Sequence, residues 1–224
     1  MLEKLNKYRL GIFFVSQMII LFGSLLIPSE FLESVIISLF FLINILAGIV
    51  LVSKNKRLIY LFFGLFILLI IDSIFRLDHK YSYFNYFKMG GYFIFYSIVT
   101  IQIIKQVWEA KIVDRSVIFG LISGYISLGL IGFFICLAVE LTNPGSFQGV
   151  RSVVANADVL TERLLYFSYI TLMTIGYGDI TPKTPIAQKA TILIGLVGQI
   201  YLVVLTAIVV GKYINQSLQT NEKK

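Results

Sequence analysis

The chain has 224 residues, of which 58% are hydrophobic and only 14% are charged, whereas a soluble domain carries roughly 25% charged residues. The apolar residues come in runs of about 20, the length that a helix needs to cross a bilayer. The net charge of +7 therefore indicates basic cytoplasmic loops and not a nucleic-acid surface. The single cysteine (Cys136) and the single histidine (His79) exclude an intramolecular disulfide and disfavour a metal centre.

Six apolar runs qualify as membrane spans and predict an all-α membrane protein. No small-residue cleavage site follows the first run, so we interpret it as a retained span. A shorter segment, Leu160–Met173, lies between the fifth and sixth runs and leads into a glycine-rich loop. This arrangement predicts a re-entrant helix and return loop, which lipid tolerates only where protein or water surrounds it. The six runs are Leu10–Ile27, Phe31–Val52, Leu58–Phe75, Gly91–Val107, Ser116–Leu141 and Ile186–Tyr213.

The placement of Lys and Arg predicts the orientation. Twelve of these residues fall on the side of the termini and seven on the side of the glycine-rich loop. Since the richer side is normally cytoplasmic, we expect both termini inside the cell and a plasma-membrane location.

The fourth span carries no basic residue before Lys105. The membrane potential therefore does almost no work on it, and steep voltage gating is not expected. We divide the chain into a four-span domain that is not voltage-sensing, residues 1–112, and a second domain, residues 113–224. Since only about eleven residues follow Tyr213, we do not expect a cytoplasmic ligand-binding domain after it.

The most informative stretch is Thr174–Asp179, with the sequence T-I-G-Y-G-D, which we call the TIGYGD loop. Its two glycines can reach positive φ without a Cβ clash. A backbone of alternating handedness can point successive carbonyls toward one axis, where a ring of carbonyls can replace the water around K⁺. From Ser116 onward, the order of span, short helix, TIGYGD loop and span closely resembles the pore domain of the potassium channel superfamily.

The resemblance implies a set of ion ligands and an assembly. The carbonyls of Thr174, Ile175, Gly176 and Tyr177 would coordinate K⁺, with the Thr174 hydroxyl at the innermost site and Gly178 completing the selectivity filter. One loop cannot surround an ion, so the working unit would be a homotetramer in membrane lipid. K⁺ would be the permeant ion, with no cofactor.

Residues behind the loop would support it. We expect the Tyr177 side chain to face away from the axis and to pack on Tyr166, Phe167 or Tyr169. Family members often carry tryptophan at the positions of Tyr166 and Phe167, so the donor that holds Asp179 is either Tyr166 or Tyr169. The alternative is that these aromatic residues only pack the short helix. Met173 replaces the Thr or Ser of many members and could alter the rigidity of the filter.

The last span carries Gly198, where family members often place a gating hinge, although a glycine in a membrane helix also permits close packing. Steps of four from Gly198 reach Leu202, Thr206 and Val210 on one face. That face is predicted to line an inner cavity, and Val210 with Tyr213 could form a constriction that closes by dewetting.

The sequence therefore predicts a passive K⁺-selective channel. One alternative is a weakly selective cation channel, in which Met173 or the missing tryptophans loosen the filter. Another is a non-conducting membrane sensor or a transporter subunit. No acid–base pair or nucleophile–base pair is visible, so an enzyme, a nucleic-acid partner and a small-molecule substrate are not expected.

Overall fold

The computed structural model describes residues 2–23, 33–53, 55–75, 82–150 and 157–221. These residues form two compact units, one of Met1–Gly124 with Val209–Lys224 and the other of Tyr125–Ile208. Two short strands, β1 (Phe147–Gln148) and β2 (Thr181–Pro182), accompany the helices. The helices are α1 (Leu2–Phe22), α2 (Glu33–Leu51), α3 (Lys56–Phe75), α4 (Ser82–Glu109), α5 (Arg115–Thr142), α6 (Ala157–Leu172) and α7 (Pro185–Asn221).

The predicted all-α membrane protein is confirmed at the level of long apolar helices. Among the described residues, three helical segments are long and apolar enough to cross a membrane: Tyr86–Glu109, Arg115–Thr142 and Pro185–Gln219. They coincide with the predicted fourth, fifth and sixth spans. The shorter apolar helices Tyr8–Phe22 and Leu39–Leu51 coincide with the first two predicted spans, of which residues 24–27 and 31–32 lie outside the described residues.

The first unit has an aromatic core with a polar chain beside it. The rings of Phe13 and Phe62 lie with centroids 6.5 and 4.8 Å from the ring of Phe95, and all three side chains are fully buried. Next to them, the Tyr96 hydroxyl donates to Asn44 Oδ1 at 2.8 Å, and Asn44 Nδ2 donates to Ser16 Oγ at 2.8 Å. These bonds tie α1, α2 and α4 together, because an unpaired polar group is costly in an apolar interior.

The end of α4 is closed by a side chain from α7. The last carbonyls of a helix have no partner within it, and Lys212 Nζ donates to the carbonyl oxygens of Val107 at 3.4 Å, Trp108 at 2.5 Å and Ala110 at 2.9 Å. The N–H of Val113 donates to Gln216 Oε1 at 3.0 Å. The C-terminal part of α7 therefore packs with the first unit, where a cation stabilises the negative end of the α4 dipole.

The substitution Lys212→Met tests this contact. It keeps the apolar stem but leaves three carbonyl oxygens without their charged donor, which should cost about 2 kcal/mol of stability. We expect a lower melting temperature of the detergent-solubilised protein. The control Lys105→Met removes an exposed lysine whose ion pair with Glu109 is 3.8 Å long, and it should change the melting temperature little. Equal effects of the two substitutions would contradict the assigned role of Lys212.

Candidate ion-conduction site

The TIGYGD loop begins in the cap that ends α6. The N–H of Thr174 donates to the carbonyl of Thr171 at 3.0 Å, and the N–H of Ile175 donates to the carbonyl of Ile170 at 2.9 Å. This pair of bonds is the Schellman motif, in which the residue after the cap has a left-handed conformation and is usually glycine. Here that residue is Thr174, with φ of +60°, a strained conformation for a β-branched side chain. The sequence predicted positive φ for the two glycines of the loop and did not predict it for Thr174.

The backbone of the loop alternates in handedness. Thr174, Gly176 and Gly178 have φ of +60°, +57° and +80°, whereas Ile175 and Tyr177 do not have positive φ. Such alternation turns successive peptide units so that their carbonyls can face one side. This is the geometry that a carbonyl-lined cation site requires.

The loop is exposed on the described part of the chain. Residues 173–179 are all exposed, between the buried Leu172 and Ile180. The exposed fraction is 46% for Ile175 and 71% for Tyr177, although both are apolar or aromatic. In the described part of the chain, no hydrogen bond ends on the carbonyls of Thr174–Gly178. The carbonyl oxygens are therefore free to accept other ligands, and much of the Ile175 and Tyr177 side-chain surface is open to contact.

Tyr166 is the aromatic residue that reaches Asp179. Partial desolvation raises the pKa of Tyr166, and a hydrogen bond to the Asp179 carboxylate and the negative charge of that carboxylate raise it further. The residue lies on α6, which is not among the membrane-spanning candidates. The hydroxyl therefore remains a protonated donor at neutral pH and holds the residue that follows the last glycine of the loop.

The other two aromatic residues of α6 attach it to the surrounding scaffold. The Tyr169 hydroxyl donates to the carbonyl of Ile126 at 2.7 Å, and its ring fills the space where Gly129 has no side chain. The ring of Phe167 is buried and meets that of Phe147 edge-on, with centroids 5.1 Å apart. Their predicted contact with Tyr177 stays a prediction, as does the role of the exposed Met173.

Sequence reasoning missed a group of contacts at the C-terminal end of the loop, where residues 140–148 pack beside the segment that follows Asp179. Residues 142–159 contain only a generic turn signal, Pro144-Gly145, yet Phe147 and Gln148 pair antiparallel with Pro182 and Thr181. The buried Glu140 carboxylate accepts hydrogen bonds from the N–H groups of Gly145 at 2.7 Å and Phe147 at 3.1 Å. These contacts anchor the segment after the TIGYGD loop, while residues 151–156 lie outside the described residues.

Gly149 packs against the backbone of Asp179, at the end of the loop. Its φ is +88°, and a Cβ placed there would lie 2.1 Å from the carbonyl oxygen of Asp179. Its own carbonyl accepts a hydrogen bond from Arg163 Nη1 at 2.8 Å. Gly149 therefore sits between the end of the loop and α6, where no side chain fits.

Gly198 packs against the end of α6. A Cβ at Gly198 would lie 2.7 Å from Leu172 Cδ1 and 2.8 Å from the Leu172 carbonyl oxygen, and α7 continues through this position as one helix. Close approach is thus one reason for this glycine, and its hinge role stays a prediction. Leu202, Thr206 and Val210 are exposed, but so are Val203 and Val204, and the cavity lining stays a prediction.

Alanine substitutions of Gly145 and Gly149, two glycines in the segment between α5 and α6, test the Gly149 contact. Gly145 also has a left-handed φ, +83°, but nothing lies within 4 Å of its Cβ position. Gly145→Ala should cost about 1 kcal/mol from backbone strain alone. Gly149→Ala should cost about 1–3 kcal/mol more, because the Asp179 backbone must move. Thermal unfolding in detergent measures both variants, and similar losses would contradict the assigned contact.

The substitution Tyr166→Phe tests the contact with Asp179 through its pH dependence. Because the pKa of Tyr166 is raised on folding, its contribution to stability is complete below the ordinary tyrosine value of about 10 and is lost as the pH rises through the raised pKa. The variant should be less stable than the wild type at pH 8, and the difference should close above pH 10. Tyr60→Phe, at an exposed ring, should leave the pH profile unchanged, whereas a pH-independent deficit in Tyr166→Phe would refute the contact.

Comparisons with known proteins concern the region that holds these features. Residues 121–215, less than half of the chain, match a family model described as an ion channel. The chain is 37% identical over 84 residues to probable potassium channel protein 2 of Methanocaldococcus jannaschii, an alignment that covers 35% of this chain and 24% of that protein. It is 47% identical over 58 residues to two pore potassium channel c of Oryza sativa subsp. japonica, covering 25% of this chain and 11% of that protein.

The chain spans a quarter or less of the length of these curated relatives. No solved structure matches it. The matched region contains α6, the TIGYGD loop and most of α7. This part of an integral membrane protein is therefore similar to an ion-channel domain and to potassium channel proteins.

Proposed function

We propose that this chain is the subunit of a K⁺-selective channel that conducts passively across a membrane. The observation that carries the proposal is the alternating left-handed backbone at Thr174, Gly176 and Gly178, in an exposed loop directly after the short helix α6. The similarity of residues 121–215 to an ion-channel domain supports it, and also supports a non-enzymatic role.

In the proposed filter, K⁺ exchanges its hydration water for oxygens of the chain. The ligands are the carbonyls of Thr174, Ile175, Gly176 and Tyr177, with the Thr174 hydroxyl at the inner end. Because these oxygens are neutral, the ion binds weakly enough to leave again. The C-terminal end of α6 adds partial negative charge below the loop, where it stabilises a cation.

We further propose that four copies assemble around one axis. A single loop supplies too few oxygens to replace a hydration shell, and cyclic symmetry provides four equivalent loops. The exposed side chains of Ile175 and Tyr177 would then be covered by neighbouring subunits. This packing would hold the carbonyls at a fixed distance from the axis.

The proposed layout has six spans, with α6 as a re-entrant helix and both termini in the cytoplasm of a plasma-membrane protein. Leu202, Thr206 and Val210 would line the inner cavity, with Gly198 as a hinge. The membrane potential would do little work on the α4 residues between Lys88 and Lys105, none of which is charged, so voltage would not be the gating stimulus.

Reconstitution into planar bilayers tests selectivity. With a tenfold K⁺ gradient, the current should reverse about 59 mV from zero, the value for a single monovalent permeant ion. When Na⁺ replaces K⁺ in the dilute solution, the reversal potential should move further from zero, because Na⁺ does not replace K⁺ as the permeant ion. Gly176→Ala should abolish K⁺ selectivity or conduction, because alanine is strained at a φ of +57°. The control Gly195→Ala, a helical position with nothing within 4 Å of its Cβ site, should keep the wild-type reversal potential.

A weakly selective cation channel is the second candidate. The exposed Met173 favours it, because a thioether is a weaker hydrogen-bonding group than the hydroxyl of the Thr or Ser of similar channels. The same recordings separate the two functions, since a reversal near zero in opposing K⁺ and Na⁺ solutions indicates weak selectivity. Absence of current at every potential would reject both.

A further inference from the structure

The segment Lys105–Arg115, which we call the elbow, joins the end of α4 to the start of α5. Both flanking helices are candidate membrane spans, so the elbow lies where the chain leaves and re-enters the bilayer. Its two large apolar side chains, Trp108 and Ile112, are 56% and 64% exposed. Exposed tryptophan at this position is typical of a side chain that sits among lipid headgroups.

Cationic side chains flank these apolar residues. Lys111 and Arg115 are exposed and have no ion pair within the described ranges. Lys105 pairs with Glu109 at 3.8 Å, with both side chains largely in solvent. Asp114 accepts the N–H of Val117 at 3.0 Å as the N-cap of α5. The acidic residues of the elbow are thus engaged, and two cations remain available.

The elbow is held in place by α7 and not by its own charges. Lys212 donates to three carbonyls between Val107 and Ala110, and Gln216 accepts the N–H of Val113. Because these contacts satisfy the backbone, Lys111 and Arg115 need not turn back to cap α4. The elbow backbone is thus fixed by contacts that use neither cation, and both cations stay exposed.

We propose that the elbow is a binding surface for anionic phospholipid headgroups. Trp108 and Ile112 enter the interfacial layer, and Lys111 and Arg115 contact headgroup phosphate whose negative charge no cation of the headgroup balances. The surface selects anionic over zwitterionic lipid, since a net-neutral headgroup offers the two cations less attraction. This binding does not require that the chain conduct ions.

Trp108 is the single tryptophan of the chain, so its fluorescence reports on the elbow alone. The purified protein is reconstituted in vesicles that contain phosphatidylcholine and phosphatidylglycerol at equal mole fraction. In one preparation the acyl chains of phosphatidylcholine carry bromine, and in the other those of phosphatidylglycerol do. Brominated phosphatidylglycerol should quench more strongly, with a preference of about fivefold for one fully engaged cation. The preference should weaken in high salt.

Matched double variants separate the elbow from net charge. Lys111→Gln with Arg115→Gln should equalise quenching by the two brominated lipids. Lys183→Gln with Lys189→Gln removes the same charge from exposed positions outside the elbow and should keep the preference. Lys111→Gln alone, outside any helix, should halve the preference or reduce it further, even if the double variant folds poorly.

Equal quenching of the wild-type protein by both brominated lipids would overturn the proposal. So would a preference that survives the elbow variant, or a tryptophan that neither lipid quenches, as expected if the elbow were covered by protein. None of these outcomes depends on ion flux, so they leave the proposed channel function standing.

Discussion

The course of the backbone after Leu172 depends on the two hydrogen bonds that cap α6. They direct the N–H groups of Thr174 and Ile175 back into the helix and require a left-handed residue at Thr174. Once the chain has turned this way, Gly176 and Gly178 continue the alternation of handedness. The carbonyls of this stretch then accept no hydrogen bond from the described residues, which leaves them able to bind a cation.

The residues around this loop hold its backbone in position. Tyr166 holds Asp179, Glu140 binds the N–H groups of Gly145 and Phe147, and Gly149 allows its own backbone to approach the Asp179 carbonyl. Tyr169 attaches α6 to α5, and Phe167 attaches it to β1. A strained loop persists only where surrounding structure restrains it, and these contacts provide that restraint at both ends.

The first unit shows a different use of polar groups. Tyr96, Asn44 and Ser16 pair in its interior, where hydrogen bonds between helices replace water. Lys212 and Gln216 form hydrogen bonds with the elbow backbone, and the side chains of Lys111 and Arg115 are exposed. The same residue type thus has two roles within a short distance: Lys212 caps a helix, whereas Lys111 remains available to a negatively charged surface.

Composition and pattern alone determined the membrane class, the three longest apolar helices and the position of the TIGYGD loop, because hydropathy and glycine placement are local properties. The alternation at Gly176 and Gly178 was also readable, since glycine tolerates positive φ. Only the tertiary structure decided that Thr174 is left-handed, that Tyr166 and not Tyr169 reaches Asp179, and that Gly149, Glu140 and Lys212 make the contacts described. Those features join residues far apart in the chain, and single-residue propensities carry no information about which distant groups become neighbours.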